Sequence, residues 1–174
     1  MACGTDDDLH AMVKGIVDEL EAAVSGTLYD VDGDYKVIDD IDEWKRAKYA
    51  KKVEEFRKEH PEESYDPEEY GFDAYQEWME DEIGTVDDVD EPDPVSLDKY
   101  IEKRGLGDTR FEVDTSMQLS AGRTLLAYGG PNIWVHDDEV RGYWGSSQCT
   151  MSLDSDTSSA MWDWFEQYWD VIKG

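Results

Sequence analysis

The segment from residue 123 to residue 153, RTLLAYGGPNIWVHDDEVRGYWGSSQCTMSL, contains only three acidic residues, although the chain of 174 residues carries a formal net charge of −28. From Arg110 onward, short β-prone runs are separated by Gly, Pro, Asn and paired Asp, a pattern typical of an antiparallel meander. The later stretch AMWDWFEQYWDVI places its large apolar side chains on one helical stripe, formed by Met161, Trp164, Phe165 and Tyr168. Because an unpaired charge between such a sheet and helix is strongly unfavourable, this segment is predicted to build the core.

We therefore predict an α+β fold, in which a small antiparallel sheet of about three to five strands is covered by the C-terminal helix. The acidic excess lies before this core, because residues 1–114 hold 36 acidic and 13 basic residues. Residues 1–105 are predicted to form an acidic, mainly helical portion and residues 106–174 the sheet with its helix. The two portions form either separate parts or one continuous domain.

Apolar spacing also predicts the elements of the acidic portion. A first helix carries an apolar stripe from Leu9 to Val24 and ends at Gly26, and the stretch TLYDVDGDYKVI that follows predicts a hairpin around its Asp-Gly turn. Further helices are expected from Ile41 to Phe56, from Asp66 and Pro67 to about Gly84, and from the cap residue Ser96 to Gly105. Ser155–Ser159 are expected to precede and cap the C-terminal helix.

The sequence gives no support for a metal site, a cofactor or a catalytic centre. Cys3 and Cys149 form no close pair, and the three histidines share no metal-ligand spacing. The stretch YDVDGDYKVIDD spaces three Asp residues like a calcium loop, but Tyr35 and Ile41 stand where such a loop needs Gly and Glu. No run of about 18 apolar residues and no signal-peptide pattern is present. We therefore expect a non-enzymatic protein without cofactors, with reduced thiols and no membrane partner.

The strongest anomaly is the block from residue 59 to residue 98, which contains 17 acidic residues and no Lys or Arg. The neighbouring stretch 45–58 holds seven basic residues, so the avoidance of Lys is local. A wholly helical block would carry one carboxylate per ~3.5 Å, close to the ~3.4 Å phosphate repeat of one DNA strand. Interleaved aromatic residues add rigid anchors for Arg and Lys. The block therefore predicts a surface that imitates nucleic acid, and the alternative is an acidic surface that serves only solubility.

Two sets of residues are candidate sites. The predicted partner-binding surface consists of Glu62, Glu63, Tyr65, Asp66, Glu68, Glu69, Tyr70, Asp73, Glu77, Glu80, Asp81, Glu82, Asp87 and Asp88. A secondary contact is predicted around the paired glycines, which allow a close approach of the backbone, at Gly129, Gly130, Asn132 and Trp134.

The segment LLAYGGPNIWVHDDEVRGYWG, followed by MWDWFEQYW, resembles a group of small proteins carried by phages and conjugative elements of gut bacteria. Their shared pattern is a strand, GGPN, a strand, a short turn, a strand ending in YW, and a helix. It covers about the last third of this chain, at Leu125–Tyr128, Gly129–Asn132, Ile133–Val135, Val140–Trp144 and Met161–Trp169. The resemblance implies a mobile-element protein in the cytoplasm of a bacterial host and transfers no catalytic residues.

Together, the acidic block and this resemblance predict an inhibitor of host defence. The leading hypothesis is an anti-CRISPR protein that blocks the DNA-binding or guide-RNA-binding channel of Cas9, and restriction enzymes are the second target. The expected partner is thus a basic nucleic-acid-binding protein, with no direct binding of nucleic acid. Two alternatives stay open, an adaptor that docks through GGPNIW and the C-terminal tryptophans, and, less favoured, a metal-dependent nuclease.

Overall fold

The structure is a computed structural model that describes residues 6–61, 74–105 and 107–174. Its described helices are α1 (Asp6–Ser25), α2 (Ile41–Glu59), α3 (Ala74–Ile83), α4 (Leu97–Arg104) and α5 (Ser155–Lys173), with a 3-10 turn at Val86–Asp88. Its described strands are β1 (Leu28–Val31), β2 (Asp34–Val37), β3 (Asp93–Pro94), β4 (Thr109–Val113), β5 (Leu119–Ala127), β6 (Asn132–His136), β7 (Glu139–Trp144) and β8 (Ser147–Ser152). The predicted α+β class is confirmed.

Strands β4 to β8 form the predicted antiparallel meander, a five-stranded sheet in the order β4-β5-β6-β7-β8. Each strand pairs with its sequence neighbour, and a bulge between Leu125 and Ala127 shifts the register of β5 against β6. Burial alternates from residue to residue along β6, since Ile133 and Val135 are fully buried while their neighbours are partly exposed. One face of this sheet is therefore the core face.

Two helices cover the core face, whereas the sequence predicts only the C-terminal helix there. Helix α5 packs against β5, and α1 packs against β7 and β8. At two glycines of the sheet the helices approach the backbone of the strands closely. A Cβ atom at Gly122 would lie 2.4 Å from Cγ of Phe165 on α5, and one at Gly142 would lie 2.5 Å from Cγ2 of Val13 on α1. The apolar stripe of α1 thus belongs to the main core.

The hairpin β1–β2 forms as predicted, around a turn in which Asp32 and Gly33 both have positive φ angles of 57° and 93°. Such a turn matches the twist of the strands that it joins. The backbone N–H of Gly33 also donates a hydrogen bond of 2.8 Å to the Asp30 carboxylate. Strand β1 is the central strand of a second, three-stranded sheet with the order β2-β1-β3.

A polar network ties α4 to α1 and to the hairpin. The hydroxyl of Tyr100 donates a 2.7 Å hydrogen bond to Glu19, and Arg104 donates one of 3.0 Å to the same carboxylate. Lys103 reaches Asp30 on β1 at 2.7 Å. Burial, and then the neighbouring Glu19, raise the pKa of Tyr100 far above its ordinary value, so that its phenol remains a donor.

The chain folds into two compact units that do not follow the predicted boundary between residues 105 and 106. The sheet unit comprises Met1–Val37 and Pro94–Gly174, and the acidic unit comprises Ile38–Asp93. Helices α1 and α4 and the hairpin therefore join the sheet unit, because their apolar side chains complete its core.

The acidic unit has a small aromatic core. Phe56 of α2 packs with Tyr75 and Met79 of α3, and these three side chains are buried. The Tyr75 hydroxyl donates a 2.5 Å hydrogen bond to the carbonyl oxygen of His60, just after α2. Helix α2 itself begins at the predicted residue, where Asp40 accepts a 2.9 Å hydrogen bond from the backbone N–H of Glu43. Its predicted apolar stripe is mostly exposed or half-buried, since Phe56 is its one buried side chain.

Candidate functional site: the acidic surface

The predicted partner-binding residues are only partly described by the structure. Eight of them lie outside the described residues, namely Glu62, Glu63, Tyr65, Asp66, Glu68, Glu69, Tyr70 and Asp73. The same holds for the start of the helix expected from Asp66 and Pro67. The other six lie in the acidic unit, on α3 (Glu77, Glu80, Asp81 and Glu82) and on the 3-10 turn (Asp87 and Asp88).

Helix α3 exposes its carboxylates because its apolar residues repeat at helical spacing. Tyr75 and Met79 are four residues apart and are both buried against Phe56, while Trp78 and Ile83 are partly buried beside them. The acidic side chains occupy the remaining positions of the helix and are all exposed. A short apolar face therefore fixes the backbone from which four carboxylates project.

The chain after α3 continues the acidic surface in a fixed conformation. Asp88 accepts hydrogen bonds of 2.8 Å from both the backbone N–H and the hydroxyl of Thr85. These bonds lower the pKa of Asp88, so the carboxylate is ionised at neutral pH. Three further exposed acids follow, Asp90, Glu91 and Asp93, which the sequence analysis did not name although they lie in the same Lys-free block.

We call these nine carboxylates the acidic surface: Glu77, Glu80, Asp81, Glu82, Asp87, Asp88, Asp90, Glu91 and Asp93. Among the residues that the structure describes, only Glu91 has an ion-pair partner, Lys45 of α2, at 3.1 Å. Two other lysines of α2, Lys51 and Lys58, pair with glutamates of their own helix. Most carboxylates of the acidic surface therefore have no ion-pair partner among the described residues, although, beside the hydrogen bonds from Thr85, the charge of Lys52 on α2 also lowers the pKa of Asp88.

The predicted secondary contact lies in the turn between β5 and β6 and along the first half of β6. Gly129, Gly130 and Asn132 form the turn between β5 and β6, in which Gly129 has a φ of 95° and donates a 3.4 Å hydrogen bond to the Asn132 side chain. Trp134 lies farther along β6, where the guanidinium carbons of Arg110 and Arg123 stand 4.9 and 5.3 Å from its ring centroid.

Histidine, cysteine and acidic side chains outside the acidic surface are potential metal ligands or catalytic groups. Within residues 6–61, 74–105 and 107–174, no three His, Cys, Asp or Glu side chains are grouped so as to hold a metal ion. The Sγ atom of Cys149 lies 3.7 Å from Nδ1 of His10, on the sheet unit. Burial, followed by the nearby Arg141, lowers the pKa of His136 on β6. None of the helices in the described parts of the chain has the length and apolar character that crossing a membrane requires.

Comparison of the chain with protein-family models, with curated proteins and with solved structures finds no match. The fold and the site define an α+β protein with an exposed acidic surface, most of whose carboxylates have no ion-pair partner within the described part of the chain.

Proposed function

We propose that this chain is a non-enzymatic inhibitor that imitates nucleic acid and occupies the DNA-binding or guide-RNA-binding channel of a host-defence nuclease. The leading target is the CRISPR effector Cas9. The observation that carries the proposal is that nine exposed carboxylates lie in the described part of the acidic unit, six of them on α3 and the 3-10 turn, and that one of the nine alone is ion-paired within the described chain.

The density of charge on α3 supports an imitation of a nucleic-acid strand. A helix of ten residues is about 15 Å long, so its four carboxylates give one negative charge per ~4 Å of axis. One strand of DNA carries a phosphate every ~3.4 Å. A channel lined with Arg and Lys attracts both surfaces for the same reason.

The packing beneath the acidic surface supports tight binding. Tyr75 and Met79 anchor α3 on Phe56, and Thr85 fixes Asp88, so little backbone freedom is left to lose when a partner binds. The uncompensated charge also accelerates the encounter with a basic partner, since opposite potentials steer association. Affinity should therefore depend strongly on ionic strength.

The choice of target follows from the resemblance of residues 125–169 to proteins of phages and conjugative elements. Such elements meet CRISPR effectors and restriction enzymes when they enter a host. Both kinds of enzyme hold nucleic acid in basic channels, so a restriction enzyme is the second target of the same proposal.

The test is inhibition of purified, guide-loaded Cas9 by the full chain, read as DNA binding and DNA cleavage. The test variant removes four charges of α3 through Glu77→Gln, Glu80→Gln, Asp81→Asn and Glu82→Gln. The matched control removes four exposed charges of the sheet unit through Asp7→Asn, Glu112→Gln, Asp163→Asn and Glu166→Gln.

We expect the α3 variant to inhibit at least about tenfold more weakly, since four exposed charge contacts of a few tenths of a kcal/mol each sum to about 1.4 kcal/mol. The control variant should stay close to the wild type. Inhibition should also weaken when salt rises from about 50 mM to about 200 mM. Equal loss in both variants, or full inhibition by the α3 variant, would contradict the proposal. The same pair of variants with a restriction enzyme decides between the two targets.

A further inference from the structure

The sheet unit contains a cavity of about 330 Å³ that none of the predicted sites includes. It opens between α4, the start of β4, strand β5 and α5. Its lining includes Ile101, which is only 3% exposed, together with two carboxylates and two aromatic rings. The volume lies at the lower end of the range of small-molecule sites, about 300–1,000 Å³.

The carboxylates are Asp98 and Glu102, which lie one helical turn apart on α4 and are both exposed. Like charges at this spacing repel one another. The cations at the end of the same helix are engaged elsewhere, since Lys103 pairs with Asp30 and Arg104 with Glu19. Within the described residues neither Asp98 nor Glu102 has an ion-pair partner, so a bound cation would relieve their repulsion.

Trp164 and Tyr168 of α5 also line the cavity. Their rings are stacked, with centroids 5.3 Å apart and planes inclined by 20°. The face of an aromatic ring attracts a cation, and most strongly where water is partly excluded. Thr109 and Thr124 line the cavity as well, and their hydroxyl oxygens are 3.0 Å apart and keep lone pairs for an N–H donor.

We propose that this cavity binds an organic cation of the guanidinium or alkylammonium class. Asp98 and Glu102 neutralise the charge, Trp164 and Tyr168 pack against the planar or methylene part, and the threonine hydroxyls accept hydrogen bonds. A free amine and an arginine side chain of a protein share this chemistry. The site belongs wholly to the sheet unit and uses no residue of the acidic surface. A failure of this proposal and a failure of the proposed function can therefore be told apart.

The experiment is an NMR titration of the full chain with three probes. Agmatine represents a free guanidinium, the peptide N-acetyl-Gly-Arg-Gly amide represents an arginine side chain, and N-acetyl-Gly-citrulline-Gly amide is the uncharged control. We expect saturable shifts of the Trp164 indole N–H and of the Thr109 amide with at least one cationic probe, and no saturation with the citrulline peptide.

Matched variants separate this site from diffuse attraction to a chain of net charge −28. Asp98→Asn with Glu102→Gln should raise the dissociation constant about tenfold, whereas Asp163→Asn with Glu166→Gln, on an exposed part of α5, should change it less than about twofold. Trp164→Leu, which keeps the charge, should also weaken binding, with near-UV circular dichroism checking the fold of each variant.

Each outcome of the titration either supports the proposed cation site or overturns it. Saturable binding of agmatine alone assigns a free amine as ligand, and binding of the arginine peptide assigns a protein side chain. Equal weakening by both double variants, binding of the citrulline peptide with the same affinity, or no saturation with either cation would overturn the proposal.

Discussion

At the scale of single residues, two glycines decide how closely the helices approach the sheet. Gly122 lies under Phe165, and Gly142 lies under Val13 and Leu9. Neither needs a positive φ, so their role is to leave room for a neighbour. Glycine inside a strand normally weakens it, because it offers no side chain to pack. Here the loss is offset by the large apolar side chains that it admits.

We predict that Gly142→Ala destabilises the sheet unit by about 1–3 kcal/mol, because the added methyl group would overlap Val13 and Leu9 in a packed core. Urea unfolding followed by tryptophan fluorescence measures the change. Gly15→Ala is the matched control, since Gly15 lies within α1 and has no atom near the position of a Cβ. That control should raise stability by up to about 1 kcal/mol. Equal stability of Gly142→Ala and the wild type would show that the helix shifts at little cost.

At the scale of elements, the residue that caps the N-terminus of α5 differs from the residues that the sequence predicts for this role. The run Ser155–Ser159 was expected to cap the helix, but the helix begins at Ser155 and Asp154 is the cap. Its carboxylate accepts a 2.7 Å hydrogen bond from the backbone N–H of Thr157. That bond lowers the pKa of Asp154 below its ordinary value of 3.8. Ser155 and its neighbours thus form the first turn of the helix.

We predict that Asp154→Ala costs about 1 kcal/mol of folding free energy at about pH 7, because it leaves the N–H of Thr157 without its acceptor. A carboxyl whose pKa is lowered by folding stabilises the native state above its unfolded pKa and loses that contribution as pH falls through the folded value. The advantage of Asp154 over Asp154→Asn should therefore shrink below about pH 4.

Urea unfolding between about pH 7 and about pH 3 measures both effects of the cap. Asp163→Ala serves as the control, since Asp163 is an exposed residue farther along α5 and caps nothing. An advantage of Asp154 over Asn that did not change with pH would contradict the prediction.

Helix α1, the Lys-free block and the cavity show which features the apolar periodicity and the charge pattern of a sequence can predict. The stripe of α1 predicted its buried residues well, with Met12 as an exposed exception. It could not predict that α1 covers β7 and β8, because periodicity identifies an apolar face and not the surface that the face meets. Equally, the Lys-free block predicted the acidic surface, whereas the cavity was missed because Asp98 and Trp164 are brought together only by the tertiary fold.

At the scale of the whole molecule, the dominant property is a net charge of −28 carried mainly by exposed carboxylates. The acidic unit alone contains 22 acidic and seven basic residues, and its buried cluster is much smaller than the core of the sheet unit. Repulsion among like charges opposes the compact state, and dissolved salt screens it.

We predict that the chain becomes more stable as salt is added, because the Debye length falls from about 30 Å at 10 mM to about 8 Å at 150 mM. Hydrogen exchange at the two salt concentrations measures the effect for each unit, and the slowing should be greatest in α2 and α3 of the acidic unit. The amides of β6 and β7, which lie in the sheet unit, provide the internal comparison. Exchange that is equally fast in both salts throughout α3 would contradict this prediction.

The three-stranded sheet brings close together the two points at which the chain leaves and re-enters the sheet unit. Leu28 pairs with Val37 on one side, and its carbonyl oxygen accepts a 2.8 Å hydrogen bond from Val95 on the other. The chain thus leaves the sheet unit and re-enters it only two strand spacings apart, about 10 Å. A connector of a few residues bridges that gap, so the intervening 56 residues, Ile38–Asp93, form a cassette that recombination can replace in one step. The acidic surface can in this way be exchanged while the framework of the sheet unit is kept.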